Sequence, residues 1–159
     1  MIFKFSTKKY KGIWFYGLSG SGKTFLSKIL KLKIKDSILV DGDNVRKLVS
    51  TDLGYSKEDR EIQIKRVFGI SKIIIESEKF PIISTVYFNK KNNELCKKNK
   101  IIPIMLVRDN FKKIKKNHKT YKNKIDVVGN DIFFEKFKKL KLINDNTSFF
   151  YKKINLFNK

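Results

Sequence analysis

Short apolar runs alternate with helical stripes from one end of this chain to the other. Lys11 to Tyr16 is a compact apolar run around Ile13, Trp14 and Phe15 and reads as a buried strand. Thr24 to Leu32 sets Leu26, Ile29 and Leu30 at helical spacing. Ser37 to Val40 reads as a second strand that ends at Asp41, and a short helix is expected from Val45 to Val49. Gly54-Tyr55-Ser56 forms a turn, with Ser56 as N-cap and Asp59 three residues on. The helix that follows runs to about Lys79, with Ile64, Val67, Phe68, Ser71 and Ile75 on its buried face. Pro81 to Thr85 is a third strand, Asn89 to Asn99 a polar helix, and Ile101 to Val107 a fourth strand. Lys112 to Asn123 is lysine-dense and helical in pattern. Leu140 to Asn144 reads as a last strand, and the aromatic tail from Phe149 as a piece that closes one edge. Strands that alternate with helices predict a single α/β domain over residues 1–159, a mostly parallel sheet with helices on both faces. Ligands of such sheets bind beyond the carboxyl ends of the strands.

Chemistry concentrates at those ends. Gly17-Leu18-Ser19-Gly20-Ser21-Gly22-Lys23-Thr24 fits G-x-x-x-x-G-K-[ST] between the first strand and the first helix. The backbone N–H groups of Gly17, Ser19, Gly20, Ser21 and Gly22 are expected to cradle ATP phosphates at the positive end of a helix. Lys23 would reach the β- and γ-phosphates, and the Thr24 hydroxyl would ligate Mg²⁺. The second strand ends in Asp41-Gly42-Asp43-Asn44-Val45-Arg46. A carboxylate at that place serves Mg²⁺ or its waters, and the second carboxylate can take a proton from an attacking hydroxyl. Arg46, one turn beyond Asp43, could pair with a phosphate of the acceptor.

Composition alters this picture little. A net charge of +22 suggests a nucleic-acid partner, and a nucleic-acid-binding NTPase is the rival reading from another class. The lysines, however, spread along the whole chain and share it with abundant Asn, Ile and Phe, which reads as compositional bias. Basic–aromatic interleaving of the kind that makes a stacking platform is missing. Only four basic residues are arginine, namely Arg46, Arg60, Arg66 and Arg108. Where lysine is so favoured, each marks a place that needs a planar, bidentate cation, and phosphate recognition is such a need. The single cysteine, Cys96, reads as a surface or half-buried free thiol, and the single histidine, His118, as a solvated loop residue. No run is long enough to span a membrane and no leader is apparent, so the chain reads as cytoplasmic with no membrane partner.

Three segments carry a family resemblance: Ile13 to Thr24, Asp41 to Arg46, and Asp52-Leu53-Gly54-Tyr55-Ser56-Lys57-Glu58-Asp59-Arg60-Glu61. They resemble the adenylylsulfate kinase family, and Val127-Val128-Gly129-Asn130-Asp131-Ile132 adds a weaker match. The resemblance implies a P-loop kinase fold that moves the γ-phosphoryl of ATP to the ribose 3′-hydroxyl of a small nucleotide, adenylylsulfate in the family. It implies Lys23 and Thr24 on ATP and Mg²⁺, Asp43 as base, and Arg46 and Arg60 on the acceptor phosphate. Tyr55 stands for a stacking Phe, Arg108 lies near the ATP base, and Lys112 to Lys124, within about 110–128, forms a lid. On the acceptor side the chain departs from the family. Gln63 replaces an Asn, and Ser84-Thr85-Val86-Tyr87-Phe88 lacks the usual proline and arginine. Val127 stands where an aromatic completes the base sandwich. That pattern is similar to a shorter subgroup that includes cytidine diphosphoramidate kinases of capsule modification, whose acceptor is a cytidine nucleotide. The oligomeric state stays open between monomer and homodimer.

Overall fold

The computed structural model describes residues 9–122, 125–135, 137 and 141–145. Its elements are β1 (Gly12–Tyr16), α1 (Lys23–Lys33), β2 (Ser37–Asp41), α2 (Gly42–Leu48), α3 (Lys57–Glu76), β3 (Phe80–Thr85), α4 (Lys90–Lys98), β4 (Ile101–Arg108), α5 (Phe111–Asn117) and β5 (Lys141–Asn144). A 3₁₀ turn over Lys119–Tyr121 follows α5. The expected aromatic tail from Phe149 lies outside the described residues, as do Leu140 at the start of the last expected strand and Asn123 and Lys124 of the expected lid.

All five strands pair in parallel, in the order β2-β3-β1-β4-β5. Alternation along β1 explains the two cores. Ile13 and Phe15 join Leu26 and Leu30 of α1 on one face. Trp14 and Tyr16 join Ile64 and Val67 of α3 and Cys96 of α4 on the other. A strand with both faces covered reads as a continuous apolar run, which is why β1 shows no polar alternation. The chain leaves β1 across β3 to reach β2, and leaves β3 across β1 to reach β4. These two neighbouring connections run in opposite directions, so a crevice opens at the carboxyl ends of β1 and β3.

Several expectations shift. The second helix starts at Gly42 and not at Val45, because Asp41 caps it by accepting from the backbone N–H of Asp43 (3.0 Å) and Asn44 (3.4 Å). On α3 the buried face carries Gln63 and Ile74, while Phe68 and Ile75 are only partly buried. Cys96 is not a surface thiol. It is fully buried, one turn after buried Asn92 on the inward face of α4, and burial pushes its pKa up. The lysine-dense helix stops at Asn117, since His118 adopts an extended conformation and starts the 3₁₀ turn.

Candidate active site

Gly17 to Thr24 turns between β1 and α1 as the glycine pattern requires. A Cβ on Gly17 would lie 2.3 Å from the Leu106 carbonyl oxygen of β4, so no side chain fits there. Gly20 and Gly22 take φ of +81° and +95°, the left-handed region that favours glycine. Lys23 is buried, with its ammonium donating to the Leu18 carbonyl (3.0 Å) and to Ser21 Oγ (3.4 Å). Burial lowers its pKa to about 8 against the opposing pull of Asp43 and Asp41.

Asp41 is also buried and both its oxygens are engaged. One caps α2, and Oδ2 accepts from the Thr24 hydroxyl at 2.9 Å. Asp43 differs: its carboxylate is exposed, lines the same cleft, and has no hydrogen-bond partner among the described residues. The cleft, about 510 Å³, runs from Ser19, Gly20, Gly22, Lys23 and Thr24 past these acids to a second wall. Among the described residues no group of three or more His, Cys, Asp or Glu forms a metal cage. Mg²⁺ needs none, since it takes one or two protein oxygens, keeps waters, and completes its shell with substrate phosphates. The Thr24–Asp41 pair fits that demand.

The second wall holds most of the residues expected to face an acceptor. Tyr55 is half-exposed, with the Arg46 guanidinium 4.7 Å and the Arg60 guanidinium 5.5 Å from its ring centre. Arg46 donates to the Leu53 carbonyl at 3.5 Å and also to that of Gly54. Arg60 donates to the Tyr55 carbonyl at 3.0 Å and the Asp126 carbonyl at 2.7 Å. Burial, and then the charge of Arg46, lower the pKa of Arg60. Gln63 donates from Nε2 to the Gly42 carbonyl at 3.0 Å, and its buried Oε1 has no partner among the described residues. Ser84 and Thr85 line the floor. The Thr85 hydroxyl is already committed: it accepts from Trp14 Nε1 at 2.8 Å and donates to the Tyr87 carbonyl at 3.0 Å.

Three expected residues stand apart. Val127 is not on the cleft wall. Its side chain is buried, and its backbone is held in a tight turn, the N–H donating to Asp131 Oδ2 at 2.9 Å. Arg108 sits beyond the loop, lining a neighbouring recess of about 650 Å³ with Asp109, Asn110 and Asn144, and donates to the Gly20 carbonyl at 3.4 Å. Arg66 faces no phosphate site. It forms a bidentate pair with Asp52 at 2.5 and 2.7 Å and ties α3 to the preceding loop. Sequence reasoning also missed a residue. His118 lines both the cleft and the recess, and packs against Gly20. Its polar neighbours in the chain gave no signal of this.

Residues 9–117 match the family model for adenylylsulphate kinase. The chain is 38% identical over 78 residues to an adenylyl-sulfate kinase of Pseudomonas aeruginosa, a match that covers 46% of this chain and 40% of that protein. It is 44% identical over 69 residues to one of Staphylococcus haemolyticus, covering 41% of this chain and 35% of the relative. The chain thus spans well under half the length of these curated relatives. In structure it resembles the Mycobacterium tuberculosis APS kinase solved with AMPPNP and APS, with a TM-score of 0.74 and 21% identity over 93% of this chain and 97% of that one. That likeness shows the fold. With more than half of its residues under the family model, the chain belongs to the adenylylsulphate kinase family.

Proposed function

We propose that this protein is an ATP-dependent nucleotide kinase that moves the γ-phosphoryl of ATP to the ribose 3′-hydroxyl of adenylylsulfate, giving 3′-phosphoadenylylsulfate and ADP. The observation that carries the reading is the single cleft in which the phosphate loop, the Thr24–Asp41 pair and the unpartnered Asp43 carboxylate share walls with Arg46, Tyr55 and Arg60. A hydrolytic ATPase needs a phosphate loop and a metal pair. It does not need an aromatic ring with two guanidiniums across the cleft.

In this reading the loop N–H groups of Gly17, Ser19, Gly20, Ser21 and Gly22, together with Lys23, hold the triphosphate, and Arg108 meets the ATP base side. Thr24 and Asp41 would hold Mg²⁺, which supplies neutralisation of charge on the β- and γ-phosphates. Asp43 accepts the proton of the 3′-hydroxyl, because its carboxylate is free while both oxygens of Asp41 are occupied. Arg46 and Arg60 bind the acceptor phosphate, and Tyr55 stacks on its base. Gln63 lines the acceptor side and holds the Gly42 carbonyl beside Asp43 through Nε2. Ser84 lies on the floor, and Thr85 shapes it through Trp14. The segment around 110–128 is the lid, and it excludes water so that transfer goes to the hydroxyl. Catalysis is mostly positioning and charge neutralisation of a loose transition state.

A cytidine nucleotide, cytidine diphosphoramidate, is the second acceptor to weigh. Val127 lies off the wall and leaves Tyr55 without an opposing ring at that position, which a smaller base tolerates better. The deciding experiment incubates the protein with Mg-ATP and either acceptor, and identifies the products by mass. ADP should form one-to-one with the phosphorylated nucleotide, and Lys23→Ala should form none. Hydrolysis stimulated by a polynucleotide, with neither acceptor consumed, overturns the reading in favour of a nucleic-acid-binding NTPase. For Asp43→Asn the expected outcome is a rate loss of roughly 10²–10⁴ with ATP binding kept. Retained rate with lost metal binding would move the base role to Asp41.

A further inference from the structure

We propose that His118, the only histidine of the chain, is a phosphate-binding residue of the ATP site, donating from Nε2 to the β- or γ-phosphate. The inference rests on the kinase reading above and adds a residue that the motifs do not assign. Four observations converge on it. The His118 ring lies edge-on to the phosphate loop, with Cδ2 and Nε2 at 3.2 and 3.6 Å from where a Gly20 Cβ would stand. The backbone N–H of Thr120 donates to Nδ1 at 3.3 Å. A ring nitrogen that accepts a hydrogen bond carries no proton in neutral imidazole, so the proton sits on Nε2, the nitrogen nearer the loop. The same short segment is fastened to the loop a second time, because the Tyr121 hydroxyl donates to the Ser19 carbonyl at 3.2 Å. Finally, His118 borders both the cleft that holds Lys23 and the recess that holds Arg108, so it stands where the two meet.

Physical economy favours a histidine there. The segment is otherwise rich in lysine, whose ammonium is a mobile point charge on a long stem. An imidazole fixed at Nδ1 offers one directed N–H with little rotational freedom to lose. It meets the loop where Gly20 has no Cβ, and any side chain at that position would collide with the ring edge and with Ile114 Cγ2 at 2.9 Å.

Two substitutions separate this role from a structural one. His118→Asn keeps an acceptor near the place of Nδ1, and so the Thr120 cap, but removes the Nε2 donor. His118→Gln places an amide N–H near the place of Nε2. Calorimetric titration of each purified variant with Mg-ATP, Mg-ADP and AMP reads the difference. His118→Asn should weaken Mg-ATP binding at least about tenfold, the scale of a hydrogen bond to a charged group. His118→Gln should return to within about threefold of wild type, and AMP affinity should be the same in all three proteins. Unchanged Mg-ATP affinity in His118→Asn overturns the inference. So does an equal loss in both variants, which would point to ring packing, or an equal loss for AMP. Wild-type protein that binds none of the three nucleotides overturns the kinase reading itself, and that result is distinct from the others.

Discussion

Lys23 carries its charge into a place that is only 7% exposed, next to carbonyl and hydroxyl oxygens and within the field of Asp41 and Asp43. Burial outweighs those acids and lowers its pKa to about 8, against 10.5 for a free lysine. Between those two values the unfolded chain holds a proton that the folded one has shed. The penalty for the buried charge, about 3 kcal/mol, is therefore full below pH 8 and fades as pH rises toward 10.5. A bound triphosphate reverses the balance, because it favours the charged form. At pH 8.5 to 9, ATP binding should take up a proton through Lys23. Titration in two buffers of different ionisation enthalpy should show a buffer-dependent heat of that sign in wild type, and Lys23→Met should abolish it. The contrast with Arg66 is instructive. Its pair with Asp52 is bidentate but open to solvent, and such pairs contribute little to stability. Rarity of arginine marked four positions, and three of them line the cleft or its neighbouring recess while the fourth braces a loop.

Asp41 shows how one side chain serves an element and a site together. Its Oδ1 starts α2 and its Oδ2 receives Thr24 from α1, so the cap also aligns the second helix with the phosphate loop. Asparagine caps helices about as well as aspartate, whereas alanine loses about 1 kcal/mol. Asp41→Asn keeps the cap but loses the carboxylate's attraction for buried Lys23, so it should lower the thermal midpoint less than Asp41→Ala, which loses both and should lower it by at least roughly 2–4 °C. Both should lose Mg-dependent turnover. Differential scanning calorimetry beside a coupled ADP assay separates the two effects. The strands and helices around this point were legible because each has the period of its class. The loop was legible because glycine, lysine and threonine leave few other readings. What the sequence hid was three-dimensional. Cys96 sits among lysines and asparagines in the chain, yet faces inward because it follows Asn92 by one turn. Val127 aligns with an acceptor position, yet Asp131 takes its N–H and keeps the turn closed. His118 ends a helix through its own extended backbone, which periodicity cannot foresee.

Across the whole molecule, 37 basic residues face 15 acidic ones. Four ion pairs form among the described residues, and each involves exposed or half-exposed side chains. Among the described residues, self-repulsion is thus answered locally in few places. Raising NaCl from 10 to 150 mM shortens the Debye length from about 30 to about 8 Å, and the thermal midpoint should rise with it. A midpoint that falls over the same range would show that attractive pairs outweigh the repulsion. No helix among the described residues is long and apolar enough to cross a membrane. The sheet places both halves of the cleft at one end, because β1 and β3 send their connections to opposite sides.

Trp14 lies at that divide, fully buried in β1 with its indole N–H on the Thr85 hydroxyl at 2.8 Å, and Thr85 lines the cleft floor. It is the only tryptophan in the chain. The protein therefore contains a single indole beside six tyrosines, joined by one hydrogen bond to the cleft floor. Because the ring is fully buried, its emission should shift to longer wavelength when the central sheet unfolds and water reaches it. Excitation beyond the tyrosine band should therefore let unfolding be followed in the unlabelled protein through this one side chain.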